Sequence, residues 1–155
     1  MIIKTFELGA VLRLMYGLKP SVLNKVVKDM GLKKSEQIIF LNSVSIILEL
    51  RNHCAHFNLV NRFRTSHELR INQNLKTKLK LSTKSDTNTH YEIRLFDTLK
   101  VLAQFESLDE VSELFFKLFT CLDIGSEENL ILRLLDRMGN VKADEWLEFN
   151  VDKLI

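Results

Sequence analysis

Residues 36–62 read EQIIFLNSVSIILELRNHCAHFNLVNR, and the fold turns on how this stretch is taken. Its apolar positions are Ile38, Ile39, Phe40, Leu41, Val44, Ile46, Ile47, Leu48 and Leu50. On a helix they cover most of the circumference. A helix that is apolar nearly all round is central, packed by its neighbours or by a second subunit. Ser35 followed by Glu36 and Gln37 marks its start, and it is expected to run to about Phe57. It ends in Arg51, Asn52, His53 and His56, a cluster that core packing does not account for.

The rest of the chain reads outward from this helix. With 155 residues it has room for one domain with a real core. It contains 1 proline and 5 glycines and is rich in Leu, Lys and Glu, which favours long helices. Residues 2–17 have helical apolar spacing up to Gly17. Pro20 and Ser21 then open a short second helix that Gly31 closes. Helical pattern returns in RLFDTLKVLAQF, LDEVSELFFKLFTCL and SEENLILRLLDRMG, with Ser107 and Ser126 as caps before acidic first turns. A short terminal helix in ADEWLEFNVDKLI is expected to dock Trp146 and Phe149 on the core. The fold class is all-α: a helical bundle forming a single domain over 1–155.

Residues 62–92 interrupt this pattern. They are polar and carry Arg62, Arg64, Arg70, Lys76, Lys78, Lys80 and Lys84, and KTKLKLS alternates as a short exposed strand would. The segment reads as a long basic loop or small hairpin insertion. Charge is uneven as well. Residues 1–105 hold 17 Lys and Arg against 8 Asp and Glu, a balance of +9. Residues 106–155 hold 5 against 12, a balance of −7. A basic half suits a polyanion, and the acidic half suits a protein-facing or solvated surface.

Cys54 and Cys121 lack metal-type spacing and read as reduced thiols of a cytoplasmic protein. Apolar runs are broken well before the length of a membrane span, so no membrane partner is expected.

Arg51, Asn52 and His56 have the residue types that metal-free cleavage of an RNA phosphodiester needs. The substrate brings its own nucleophile, the 2′-hydroxyl. Histidine moves protons near neutral pH. Arginine holds the extra charge that builds on phosphorus. Asparagine orients the histidine or binds a phosphate oxygen. Asn52 and His56, four apart, share a helix face, while Arg51 starts about 100° away and must swing toward them. No carboxylate or Cys/His set for a metal accompanies them, so no cofactor is expected. Duller readings stay open at this point. Arg51 could pair with Glu7 or Glu49, His53 could be a surface residue, and Cys54 and Ala55 could simply allow close packing.

The block LRNHCAH…NR resembles the R-x(4–6)-H signature of HEPN domains. More narrowly, FELGAVLRLMYGL…VVKDMGL…LNSVSIILELRNHCAHFNLVNR is similar to the Abi-type abortive-infection proteins of bacteria, over roughly residues 5–62. The resemblance implies an all-α HEPN-like bundle, a homodimer, and a metal-independent endoribonuclease of the toxin kind that acts in phage defence. It implies that Arg51 and His56 are catalytic, with Asn52 as polar support and Glu7 as a further candidate support. The segment after His56, FNLVNR, lacks an arginine that family members often carry there, so phosphate contacts are expected at Arg62 or Arg64. Lys76, Lys78 and Lys80 are further candidate RNA contacts. An RNA or protein antidote is a candidate partner. Family members are commonly longer at the N-terminus, so the chain reads as a minimal version. The alternative to an enzyme is a non-catalytic helical module that binds RNA or protein.

Overall fold

The computed structural model describes residues 8–81, 92–121, 124–149, 151 and 153–154. Among these, seven α-helices follow in order: α1 Leu8–Gly17, α2 Pro20–Asp29, α3 Gln37–Ala55, α4 Gln73–Leu79, α5 Leu95–Ala103, α6 Asp109–Cys121 and α7 Ile124–Met138. Single 3-10 turns occur at Lys34–Glu36, Val60–Arg62 and Asp144–Trp146. No strand forms among the described residues, and one isolated antiparallel bridge joins Arg64 to Arg94. The all-α expectation holds.

The long apolar helix is central, as its circumference requires: α1, α4 and α5 all pack on α3. Ile46 is fully buried at its middle. The C-terminal end of α5 lies beside the first half of α3, where Gln104 Nε2 donates to Ser43 Oγ at 3.3 Å and Phe40 meets Phe105 edge-on. Leu50, further along α3, packs instead with Phe63 and Leu95 near the start of α5. The two helices are therefore antiparallel. One buried cluster joins α1, α2, α3 and α4, and a second joins α5, α6, α7 and Trp146.

Helix ends follow local chemistry. Helix α2 begins at Pro20, whose fixed φ suits a first helical position. Gly31 ends it in the left-handed region, with a positive φ that glycine adopts without strain. Leu32 N–H returns there to the Val27 carbonyl at 3.0 Å. The Ser107 hydroxyl accepts the Asp109 N–H, as the cap reading expects. Ser126, by contrast, already lies inside α7. The terminal segment docks as expected, but it makes only one 3-10 turn. Trp146 is fully buried against Phe96 and Phe115, with ring centroids 4.8 and 4.5 Å away, and its Nε1 donates to the Asn140 carbonyl at 3.0 Å.

The basic insertion differs from its reading. KTKLKLS alternates, yet most of it belongs to α4 rather than to a strand or an open loop. Asn72 caps α4 by accepting the Asn74 N–H at 2.9 Å. Leu75 and Leu79, four apart, are 0% and 4% exposed, so the helical spacing of the leucines wins over the period-2 pattern of the lysines. Asn42, itself buried on α3, clamps the entry to α4: its Nδ2 donates to the Arg70 carbonyl and its Oδ1 accepts the Asn72 N–H, both at 2.8 Å. Lys84 lies outside the described residues, and no hairpin forms among the described residues of 62–92.

Candidate functional site

Beyond Leu50, α3 leaves the core. Arg51, Asn52, Cys54, Ala55 and His56 are all exposed. The helix closes with His56 N–H on the Asn52 carbonyl, Phe57 N–H on Cys54 and Asn58 N–H on His53, at 3.1, 3.0 and 3.3 Å. This closure gives Phe57 a positive φ in the left-handed region. Glycine normally takes that place at a helix end.

The three residues expected to share chemistry come to one end of one helix. The Arg51 side chain turns toward its neighbour, and its Nη1 donates to Asn52 Oδ1 at 3.1 Å. His56 stands one helical turn after Asn52 on the same face. Its ring makes no hydrogen bond with a described residue. Glu49 does not serve Arg51, because its two carboxylate oxygens accept the Ser66 backbone N–H at 2.7 Å and the Ser66 hydroxyl at 2.6 Å. Glu7, the other candidate partner, lies outside the described residues.

His53 faces away from this set. Its Nε2 lies 3.0 Å from the Leu59 carbonyl, and its ring meets Phe63 edge-on with centroids 5.3 Å apart. Phe63 is buried, so His53 pins the outgoing chain to the helix end. That chain carries an exposed apolar run: Phe57 is 97% exposed, Leu59 59% and Val60 42%.

The basic residues divide. Arg62 is exposed in the 3-10 turn that follows the helix end. Arg64 comes two residues later, with Nη1 3.1 Å from a Glu92 carboxylate oxygen. Lys76 and Lys78 are half-buried on α4 and Lys80 is exposed at its end. The entry to α4 is anchored at Asn42, almost three helical turns before Asn52 on α3. These lysines do not share the helix end with Arg51 and His56. Lys80 instead lines a recess with Phe96, Lys100 and Glu145.

Sequence reading missed Arg94, Arg133 and Arg137, which line a groove with Arg64. Arg133 and Arg137 are four apart on α7, within a half whose overall balance is acidic, and that balance hid them. Among the described residues no group of three or more His, Cys, Asp or Glu is placed to hold a metal ion. Cys54 and Cys121 are both unpaired and exposed. No helix among the described residues is long and apolar enough to cross a membrane.

Fold and site together define an all-α domain that presents an Arg–Asn–His cluster at the exposed end of its central helix. Residues 1–61, less than half of the chain, match the family described as Abi-like protein. The match includes Arg51, Asn52 and His56 and stops one residue before Arg62. No curated protein and no solved structure matches the chain.

Proposed function

We propose that this protein is an abortive-infection-type endoribonuclease that cuts RNA without a metal, using Arg51 and His56 from two copies of the chain. The supporting observation is the α3 end, where Arg51 is drawn onto Asn52 with His56 one turn beyond, inside the segment that matches the Abi-like family. In this reaction the RNA 2′-oxygen attacks the adjacent phosphorus and the 5′-oxygen of the next nucleotide leaves. His56 of one copy takes the 2′-hydroxyl proton, and the same residue of a second copy protonates the leaving oxygen. The products are a 2′,3′-cyclic phosphate and a 5′-hydroxyl. Arg51 binds the equatorial phosphate oxygens as their charge rises. A two-fold axis near the helix end would double the histidines and arginines at one phosphate. The exposed run Phe57, Leu59, Val60 gives that contact an apolar rim.

Purified protein incubated with single-stranded RNA in EDTA should yield cyclic-phosphate ends. His56→Ala should lower the rate roughly 10²–10⁴-fold, the usual contribution of a positioned proton-transfer group. Its unfolding free energy should stay within about 0.5 kcal/mol, because the side chain is exposed. Undiminished cleavage by this variant would remove the reading.

One observation favours a second reading, a non-catalytic RNA- or protein-binding module. A working base is normally oriented by another group, and the His56 ring has no such partner among the described residues. Such a module would be harmless when overproduced and would leave cellular RNA intact.

A further inference from the structure

Opposite Arg64 and Arg94, the last turns of α7 complete an open groove of about 680 Å³. Four guanidinium groups line it, from Arg64, Arg94, Arg133 and Arg137. Two of them are held in place. Arg64 Nη1 lies 3.1 Å and Arg94 Nε 3.9 Å from the same Glu92 oxygen, and Arg94 Nη1 donates to the Asp136 carbonyl at 2.7 Å. Gly139 leaves room for Arg94: a Cβ at this position, where φ is +111°, would stand 2.8 Å from the Arg94 Cβ. Arg133 and Arg137 are exposed and form no ion pair with a described residue. Among the described residues, Glu92 and the groove-lining Asp136 are the carboxylates set against these four guanidinium groups. A purely structural ion-pair network would balance its charges. Here guanidinium is in excess among the described residues, and arginine's planar fork matches phosphate in two-point geometry.

Residues 57–63 tie the groove to the helix end. The turn Val60–Arg62 packs directly on α7, and Phe63, one residue before Arg64, meets the His53 ring. His56 and Arg64 are eight residues apart, a reach of at most about 29 Å and less here because of that ring contact. Leu132 and Val141, 42% and 50% exposed, give the same groove apolar surface for sugars or base faces.

We infer that this arginine groove is a second binding subsite, taking backbone phosphates of the single-stranded RNA whose scissile bond lies at the α3 end. The choice of RNA rests on the proposed function, while the excess of guanidinium charge stands apart from it. Arg133 and Arg137 are its principal contacts, and Arg64 joins them from the opposite wall.

The test is binding, not cleavage, so the two ideas fail separately. A labelled single-stranded oligoribonucleotide is titrated by fluorescence anisotropy at several salt concentrations, in the His56→Ala background. Adding Arg133→Gln and Arg137→Gln should weaken binding and flatten the slope of log K against log salt. The flattening should be about 0.7 per lost phosphate, hence about 1.4 for the pair. Lys25→Gln with Lys28→Gln, on the exposed side of α2, removes the same charge and should leave the slope unchanged. Arg133→Lys with Arg137→Lys keeps the charge but loses the fork. It should keep the slope and still weaken binding, and it serves if the glutamine pair lowers the melting temperature. The inference is overturned if the His56→Ala protein does not bind RNA, or if the Gln pair leaves the slope intact. Equal loss in the α2 control also overturns it, as does displacement of RNA by polyglutamate of matched charge as readily as by unlabelled RNA. Binding without cleavage would leave the groove standing and remove the enzyme.

Discussion

Phe57→Gly is expected to raise the melting temperature of the isolated chain, although it deletes a whole phenyl ring. The ring is 97% exposed, so its removal forfeits almost no burial. Phe57 holds a positive φ. A residue with a side chain is strained there by about 1–2 kcal/mol. Glycine removes that strain and adds about 0.5–1 kcal/mol of chain entropy to be lost on folding. The net gain is about 0.5–1 kcal/mol, which in a domain of this size corresponds to about 1–4 °C. Phe57→Ala keeps the backbone strain and should move stability by less than about 0.5 kcal/mol. The assay is thermal unfolding followed by circular dichroism, in dilute protein shown to be monomeric by light scattering. A Phe57→Gly variant that melts below wild type under those conditions refutes the strain argument. Repeating the melts at rising concentration tests the proposed dimer as well. If a second copy covers Phe57, burial of the ring in wild type brings about 1.5–3 kcal/mol, and the order of the two proteins reverses. An order that is the same at every concentration means no partner covers the ring.

Two further outcomes concern how the site is carried. Asn42→Ala removes both hydrogen bonds that clamp α4 to α3 and leaves the Asn72 N–H and the Arg70 carbonyl without them. It should destabilise the protein by about 2–3 kcal/mol in urea titrations and speed amide exchange in α4 first, and a loss under about 0.5 kcal/mol would contradict the clamp. Glu145 accepts Lys142 Nζ at 2.8 Å and Asn140 Nδ2 at 2.7 Å, and the Lys142 hydrogen bond holds its carboxyl below the ordinary value of 4.5. Its contribution is therefore present at neutral pH and disappears as pH falls through the lowered value. Glu145→Gln should flatten the stability curve below about pH 4.5 with small amplitude, the pair being largely exposed, and an unchanged acid slope would show the pairing to be inert.

The helices were legible where apolar spacing and punctuation agree. Helix α2 lies between Pro20 and Gly31 because each residue suits its position, and α3 is central because apolar residues cover most of its circumference up to Leu50. The site was legible only as a local motif on one helix, since Arg51, Asn52 and His56 need no partner from elsewhere in the chain to lie together. Two features were not legible. In α4 the alternation of lysines imitates a strand, and only tertiary burial of Leu75, Leu79 and Leu81 reveals which period decides. The arginine groove is assembled from residues 64, 94, 133 and 137, brought together by the Arg64–Arg94 bridge and the packing of Val60–Arg62 on α7. No spacing along the chain encodes that meeting.

The segment between the helix end and the groove determines whether one ligand can use both. Residues 57–66 could have been a slack connection. Instead His53 holds the Leu59 carbonyl, Glu49 holds Ser66 through two hydrogen bonds, and Thr65 N–H donates to the Ile93 carbonyl at 3.0 Å. Phe63, 1% exposed, is anchored between these ties. Arg62 and Arg64 are thus carried on backbone whose position is already fixed relative to Arg51 and His56. A ligand spanning this surface would not have to order that backbone, which would otherwise cost about 1–2 kcal/mol per residue. Glu49 therefore holds the connection through Ser66 and does not touch the guanidinium that its sequence position suggested.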